Sequence, residues 1–338
     1  MSTPLEIIIR QLITHNGSLS VAAYWSLCLS HPEYGYYMNR NPLGEEGDFT
    51  TAPEISQLFG EMVSVWIAEK WREIGSPKRI YLTELGPGRG TLMLDILRIA
   101  KIVPDFSTSI HLHLVETSPR FRAKQAETLK DYHVTWHDDL STLPDDAPVI
   151  FVGNEFLDAL PVEQYVFQDG KWFERMIGLD VYKNFTWGLR SSRFDFDPPP
   201  YQDRAVLEIS PARESVVLDL AVRLHKQGGA ALLIDYGHDK SGYGDTLQAV
   251  RKHQYANVLK DCGEIDITSH VDFGKLKEIL EQDGLSVHLS SQENFLKRMG
   301  IEMRAAQLSL KSQEIQSGFH RLVDPDQMGE LFRVMEIK

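Results

Sequence analysis

Several acidic residues in this chain fall where an apolar run gives way to a turn: Glu84, Glu116, Asp138, Glu155 and Asp235. Glu84 stands two residues before a glycine-rich turn in residues 82–95, LTELGPGRGTLMLD. Apolar residues, then Gly86, Gly88 and Gly90, then a second apolar run read as strand, tight turn and helix, an arrangement that holds nucleotides. The spacing is GxGxG, and Thr91 stands where a dinucleotide fingerprint would place its last glycine. A carboxylate at Glu84 would repel a pyrophosphate but attract the amino group of a zwitterionic amino acid. The glycines permit close backbone approach, and the helix start favours a ligand carboxylate. S-adenosylmethionine carries that amino group, a carboxylate and a sulfonium. Its ribose diol calls for an acidic acceptor at the tip of the next strand, where HLHLVET ends in Glu116. The strand after that leads to Asp138, placed to meet an adenine amino group or to be a solvated loop acid.

A second group follows another buried strand. In residues 152–164, VGNEFLDALPVEQ, Asn154, Glu155 and Asp158 come to the carboxyl edge of the expected sheet. Glu155 and Asp158 are three apart and share a face on a helical turn. Two carboxylates there suit a cationic substrate, and a guanidinium pairs with them bidentately. The other reading is that Asn154 and Asp158 cap a helix start. LIDYG places Asp235 beside Tyr236 at a further strand tip, to orient a nucleophile or to make a structural hydrogen bond. GDFTTAP, with Gly47 and Asp48, reads either as a turn and cap or as a mobile lid over the sulfonium, within a long Gly- and Pro-rich stretch.

The composition narrows the partners. The chain has 338 residues and a formal net charge of -13, which argues against nucleic acid. Its two cysteines, Cys28 and Cys262, form no CxxC, and a reducing compartment is the default. No HExxH or paired CxxC occurs, so no metal is expected. No GxSxG or Walker A sequence is present. No apolar run is long enough to span a bilayer, and the first residues have neither a basic n-region nor the makings of a transit peptide. A cytoplasmic protein is expected, or a mitochondrial matrix protein whose leader has been removed.

The elements that must position these residues alternate. Helices are expected over 4–15, 20–29 and 55–75. Strands at 80–85, 109–116, 134–137, 149–154 and 228–237 alternate with helices at 90–100 and 119–130, which predicts a doubly wound α/β sheet. The alternation breaks at about 160–205, read as a small insertion with a β-hairpin turning at Asp169-Gly170. Residues 238–273 lack periodicity and read as a long active-site loop. Helices from Phe273 and a last strand, LFRVMEIK, complete the chain.

GDFTTAPEISQLFGE, ELGPGRGTLMLDILR, GNEFLDALPV and LLIDYG together resemble the MidA-type S-adenosylmethionine-dependent methyltransferases, bacterial relatives of mitochondrial complex I assembly factor 7. The resemblance implies a class I methyltransferase fold: a Rossmann-like, doubly wound, mostly parallel seven-stranded sheet with N-terminal helices and an insertion. The chain is read as N-terminal helices and lid over 1–75 and a methyltransferase domain over 76–338. The resemblance implies a protein substrate methylated on arginine, in the mitochondrial members a complex I subunit. Glu84, Gly86, Gly88, Gly90, Gly47 and Asp48, together with Asn154, Glu155 and Asp158, match its motifs. The competing expectations are a small-molecule methyltransferase and an assembly chaperone that keeps the cofactor for structure alone.

Overall fold

Seven strands form the continuous run of the central sheet, with the short Val271–Asp272 pairing beside it as an eighth, in the computed structural model, which describes residues 2–39, 50–192, 202–251, 254–309 and 313–338. The seven are β1 (Ile80–Leu85), β2 (Ile110–Val115), β3 (Val134–His137), β4 (Val149–Asn154), β5 (Gly229–His238), β6 (Val287–Ser291) and β7 (Phe332–Ile337). Their order across the sheet is β3-β2-β1-β4-β5-β7-β6. The first five run parallel, and β7 is antiparallel to both its neighbours. The chain builds outward from β1 to β3, then returns to build the other way from β4. In such a sheet the carboxyl ends of β1 and β4 flank the crevice where ligands bind.

Strict alternation along the strands loads both faces with apolar side chains, as a parallel sheet requires. Ile80 and Leu82 face one core with helix Gln57–Glu73 and helix Thr91–Ala100, while Tyr81 and Leu85 face another with helix Pro211–Gln227 and helix Phe273–Gln282. The helix starts carry the caps their sequences predict. Ser20 accepts from the Ala23 N–H, and Ser118 accepts from Phe121 N–H with Pro119 in the first turn. Buried Glu61 joins three helices by accepting from Arg98 at 3.1 Å and Arg304 at 2.6 Å. Helix Gln57–Glu73, expected within the N-terminal unit, thus packs on the sheet.

The remaining N-terminal helices pack elsewhere. Pro4–Asn16 and Val21–Ser30 form a third apolar cluster with Val162 and Ile177 of the insertion and with Ala249, Ile265 and Ile267. The insertion sheet runs through Glu163–Gln168, Lys171–Leu179, Phe185–Ser191 and Val206–Ile209, and takes Leu19–Ser20 as a further strand. Its hairpin turns at Asp169 (φ 51°) and Gly170 (φ 75°), both left-handed as the sequence predicts. The expectation of an active-site loop over 238–273 is corrected here. Gln248–Arg251, Gln254–Ala256 and Asp266–Thr268 form a small antiparallel sheet under the N-terminal helices. Strands of three or four residues are too short to show an alternation.

These pieces make one lobe beside the sheet, and at Gly263 its backbone comes close to the Tyr34 carbonyl and to Leu5. Gly263 has φ of 77°, and a Cβ there would stand 2.1 Å from the Tyr34 carbonyl oxygen. Gly263→Ala should cost about 2 kcal/mol or more and loosen the lobe. Hydrogen exchange should accelerate together in Pro4–Asn16, Val21–Ser30 and Asp266–Thr268 while β1 and β4 stay protected. Equal acceleration in β1 and β4 would show that the lobe and sheet open as one unit.

Candidate active site

Strand register gathers the acidic residues. Leu85 pairs with Val115 on one side and Gly153 on the other, Val115 with His137, and Ile234 with Asn154. One residue further on, the backbone bonds continue: Gly86 N–H to Val115 at 3.1 Å, Glu116 N–H to His137 at 3.0 Å, and Glu155 N–H to Ile234 at 2.9 Å. The strand tips therefore share one edge, above which lies a cavity of about 460 Å³. Glu84, Gly86, Gly88, Glu116, Asp138, Asn154 and Glu155 border it. Gly90, Asp158 and Asp235 do not, and no described residue between 239 and 273 does. Gly47 and Asp48 lie outside the described residues.

Glu84 is buried, and among the described residues its Oε2 has no hydrogen-bond partner. Burial, with the Glu116 charge adding to it, pushes its carboxyl up to about 8. A bare carboxylate oxygen in a polar cavity is costly until a cation meets it. The glycine turn above it is left-handed at Gly86, Gly88 and Gly90. Gly86 is required twice over, by its φ of 59° and because a Cβ would stand 2.8 Å from Phe156 Cδ2. Gly90 is the N-cap of helix Thr91–Ala100 and supplies no side-chain cap, so the first-turn N–H groups stay available to an anion.

The β2 tip is pre-set by its neighbours. Glu116 accepts from the Ser118 N–H at 2.8 Å and from Gln125 Nε2 at 3.2 Å. Burial raises its pKa, and these bonds work against the rise. A carboxylate has room for further donors, so a diol can still be received. Gln125 is fully buried, donates to the Gly88 carbonyl at 2.8 Å and accepts from Trp136 Nε1 at 2.9 Å, tying three strand ends together. Asp138 is exposed at the cavity edge and pairs with Arg122 at 2.6 Å.

The turn after β4 carries the other group. Glu155 has φ of 49° and half-faces the cavity. Its Oε1 accepts from the Ala52 N–H at 2.9 Å and Asn154 Nδ2 at 3.1 Å, and burial pushes its carboxyl up to about 7. Asn154 Oδ1 is buried without a partner among the described residues. Asp235 lies beneath this turn, its carboxylate accepting the N–H groups of Leu157 at 2.9 Å, Asp158 at 3.0 Å and Tyr236 at 2.9 Å. This places Asp235 as a positioning group, the structural hydrogen-bonding alternative read from its sequence. Asp158 is buried one layer behind Glu155.

Sequence reasoning passed over several cavity residues. Glu54 accepts from Thr91 Oγ1 at 2.6 Å and Arg89 at 3.2 Å, bracing the glycine turn from helix Ala52–Ile55. Tyr37 lines the cavity and donates to Asp266 at 3.1 Å, while its carbonyl accepts from the Ser118 hydroxyl at 2.9 Å. Glu54 stood in a motif already singled out. Tyr37 and Gln125 left no local signal, since their partners are remote in sequence.

Two measurements test this donor site. Binding an ammonium beside Glu84 needs its carboxylate, so a proton must leave at any pH below about 8. Affinity for S-adenosylhomocysteine should rise roughly tenfold per pH unit below that value and level off above it. Glu84→Gln should weaken binding and flatten the profile, as read by calorimetry. A raised carboxyl means the folded, ligand-free chain holds its proton longer than the unfolded one. Its stability therefore falls as pH climbs from the ordinary carboxylate range to about 8, and Glu84→Gln should unfold at a higher temperature at the upper end. A pH-independent wild-type affinity would refute the role of Glu84. Separately, Gly86→Val should abolish cofactor binding in the same assay, with retained affinity counting against the cradle.

Comparison with known proteins agrees with this geometry. Residues 62–291 match the family described as "Putative S-adenosyl-L-methionine-dependent methyltransferase". The chain is 37% identical over 371 residues to the protein arginine methyltransferase NDUFAF7 homolog, mitochondrial, of Drosophila melanogaster, covering 97% of this chain and 83% of that one. It is 33% identical to the Homo sapiens protein of the corresponding name, covering 98% and 82%. A crystal structure from Burkholderia thailandensis bound to S-adenosyl-homocysteine superposes with a TM-score of 0.88 at 26% identity, over 99% of this chain and 91% of that one. The α/β fold is that of an enzyme that uses S-adenosylmethionine, and the chain belongs to this methyltransferase family.

Proposed function

We propose that the chain methylates an arginine guanidinium of a protein substrate. The observation that carries this reading is Glu155: a carboxyl at the β4 tip, in the donor cavity, pushed up to about 7 by burial and held by two donors on one oxygen. Such a group gains most from a planar cation that it can pair with, and a guanidinium is that cation. Bound S-adenosylmethionine supplies an electrophilic methyl on its sulfonium. Glu155 would hold the guanidinium in one orientation; as the N–C bond formed and the S–CH3 bond broke, the thioether would depart with the bonding pair and the proton released from nitrogen could pass to the Glu155 carboxylate. Ala52 and Asn154 fix the carboxylate, so orientation costs little at the moment of reaction. The names of the relatives support an arginine in a protein. A respiratory complex I subunit is the target implied by the MidA-type resemblance. Free, buried Cys28 and Cys262 suit a reducing compartment, a bacterial cytoplasm or the mitochondrial matrix. Among the described residues no helix is long and apolar enough to cross a membrane.

The test is a deletion-strain lysate incubated with the protein and isotope-labelled methyl donor. After hydrolysis the label should appear as methylarginine, and label in a small metabolite would overturn the proposal. On the target so identified, Glu155→Gln should lower turnover about tenfold or more while S-adenosylhomocysteine affinity stays within a few fold. Turnover at the wild-type rate would remove Glu155 from the acceptor site. Loss of cofactor instead would assign it to the donor site.

A further inference from the structure

The cavity above the strand tips is acidic almost throughout. Among the described residues that border it, seven are Asp or Glu and a single one, Arg89, carries a positive charge. S-adenosylmethionine has a carboxylate at its amino-acid end as well as an ammonium. A field of carboxyls repels that carboxylate, and an anion taken out of water is costly unless it is paired. Arg89 is the side chain that can pair it. It stands inside the glycine turn, between Gly88 (φ 51°) and Gly90 (φ 80°). Among the described residues its guanidinium makes one hydrogen bond, from Nη1 to Glu54 Oε2 at 3.2 Å. Most of the donors of its fork are therefore left over. The other Glu54 oxygen accepts from the Thr91 hydroxyl at 2.6 Å. Thr91 opens the helix Thr91–Ala100, whose N-cap Gly90 gives its first-turn N–H groups no side-chain partner. Glu54 thus lays a carboxylate against a cation and a hydroxyl beside a helix start, the surroundings that an incoming carboxylate needs. In the ligand-free chain the protein supplies that anion itself.

We propose that Arg89 receives the carboxylate of the methyl donor, and that Glu54 is the resident anion that holds Arg89 in the empty site and competes for it. The proposal rests on the use of S-adenosylmethionine and is independent of the arginine reading. Its consequence is selectivity for a donor whose carboxylate is intact. A ligand with the ammonium but no carboxylate brings only positive charge to an acidic cavity, so the other bordering residues favour it. Arg89 reverses that bias, because a guanidinium meets a carboxylate through two parallel charge-assisted bonds. Arg89 is a specificity residue for the donor and Glu54 a positioning residue that acts through it. Neither takes part in moving the methyl group.

Calorimetry on the full chain compares S-adenosylhomocysteine with its decarboxylated analogue, S-adenosyl-3-thiopropylamine. Both carry the same ammonium, so the part played by Glu84 cancels in the ratio of their affinities. Wild type should hold S-adenosylhomocysteine roughly tenfold or more tighter. Arg89→Gln should lose that preference while the analogue stays within about threefold of its wild-type affinity. Glu54→Gln keeps an acceptor for Thr91 and leaves its helix tied to Glu155 through the Ala52 N–H at 2.9 Å. With the competing charge gone, it should widen the preference about threefold. A role confined to bracing the turn would weaken both ligands equally in a folded Arg89→Gln, and that outcome overturns the proposal. A preference kept in full by Arg89→Gln overturns it too, since the helix start alone would then hold the carboxylate, as does a wild type with no preference. Should Arg89→Gln fail to fold, the wild-type ratio and Glu54→Gln decide the matter, and an unchanged or narrowed preference in Glu54→Gln refutes the proposal.

Discussion

The turn that follows β4 is gripped through its own peptide groups. Asp235 accepts the N–H groups of residues 157 and 158, and Arg213 donates to the carbonyls of the same two residues. Both charged groups are buried, and removing one partner of a buried charged pair typically costs about 3–5 kcal/mol. The grip holds Glu155 in a left-handed conformation that only surrounding structure can enforce. It sets Phe156 against Gly86, so the turn after β4 and the glycine turn share one contact. Through Ser269 and His270 it also reaches the segment that leads out of the lobe. The aim of Glu155, the seating of the glycine turn and the docking of the lobe all depend on it.

An edge so rich in carboxyls is unfavourable in the ligand-free chain. Glu84 and Glu155 are both held protonated well above the ordinary carboxylate range, chiefly by burial. Perturbed groups of this kind concentrate where charge will be delivered by a ligand. The two lie on different strand tips, Glu84 under the glycine turn and Glu155 at the switch to the second half of the sheet, and both border the same cavity. A net charge of -13 is consistent with a site that welcomes cations, although it says nothing of where they go.

The lobe contributes to the cavity from outside the sheet. Leu29 and Ser30, at the end of a lobe helix, line it, and so does Tyr37. Tyr37 bonds to Asp266 in the lobe through its hydroxyl and to Ser118 at the β2 tip through its carbonyl. One residue thereby couples a small accessory sheet to the end of the cavity that Glu116 presents. The insertion and the N-terminus, far apart in sequence, are joined in a single sheet by Leu19–Ser20 pairing with Ile177 and Met176.

What the sequence determined by itself is local and periodic. The strands β1 to β5, the GxGxG turn and the Asp169-Gly170 hairpin were legible because each is written within a few neighbouring residues. The acidic strand tips were legible too, since alternation says where a strand ends and its register then aligns the ends. Tertiary structure alone decided the rest. Whether Asp235 touches a ligand or holds a turn depends on which N–H groups face it, and those belong to a turn some eighty residues away. Gln125, Arg213 and Tyr37 act through partners that no spacing rule connects. Residues 238–273 looked like a loop because their short strands have no pattern of their own and take their apolar face from the N-terminal helices. Local chemistry could therefore name the acidic groups at the strand ends, but which of them face the cavity and which stand behind it was settled by long-range packing, where desolvation and backbone partners set the surroundings of each carboxyl.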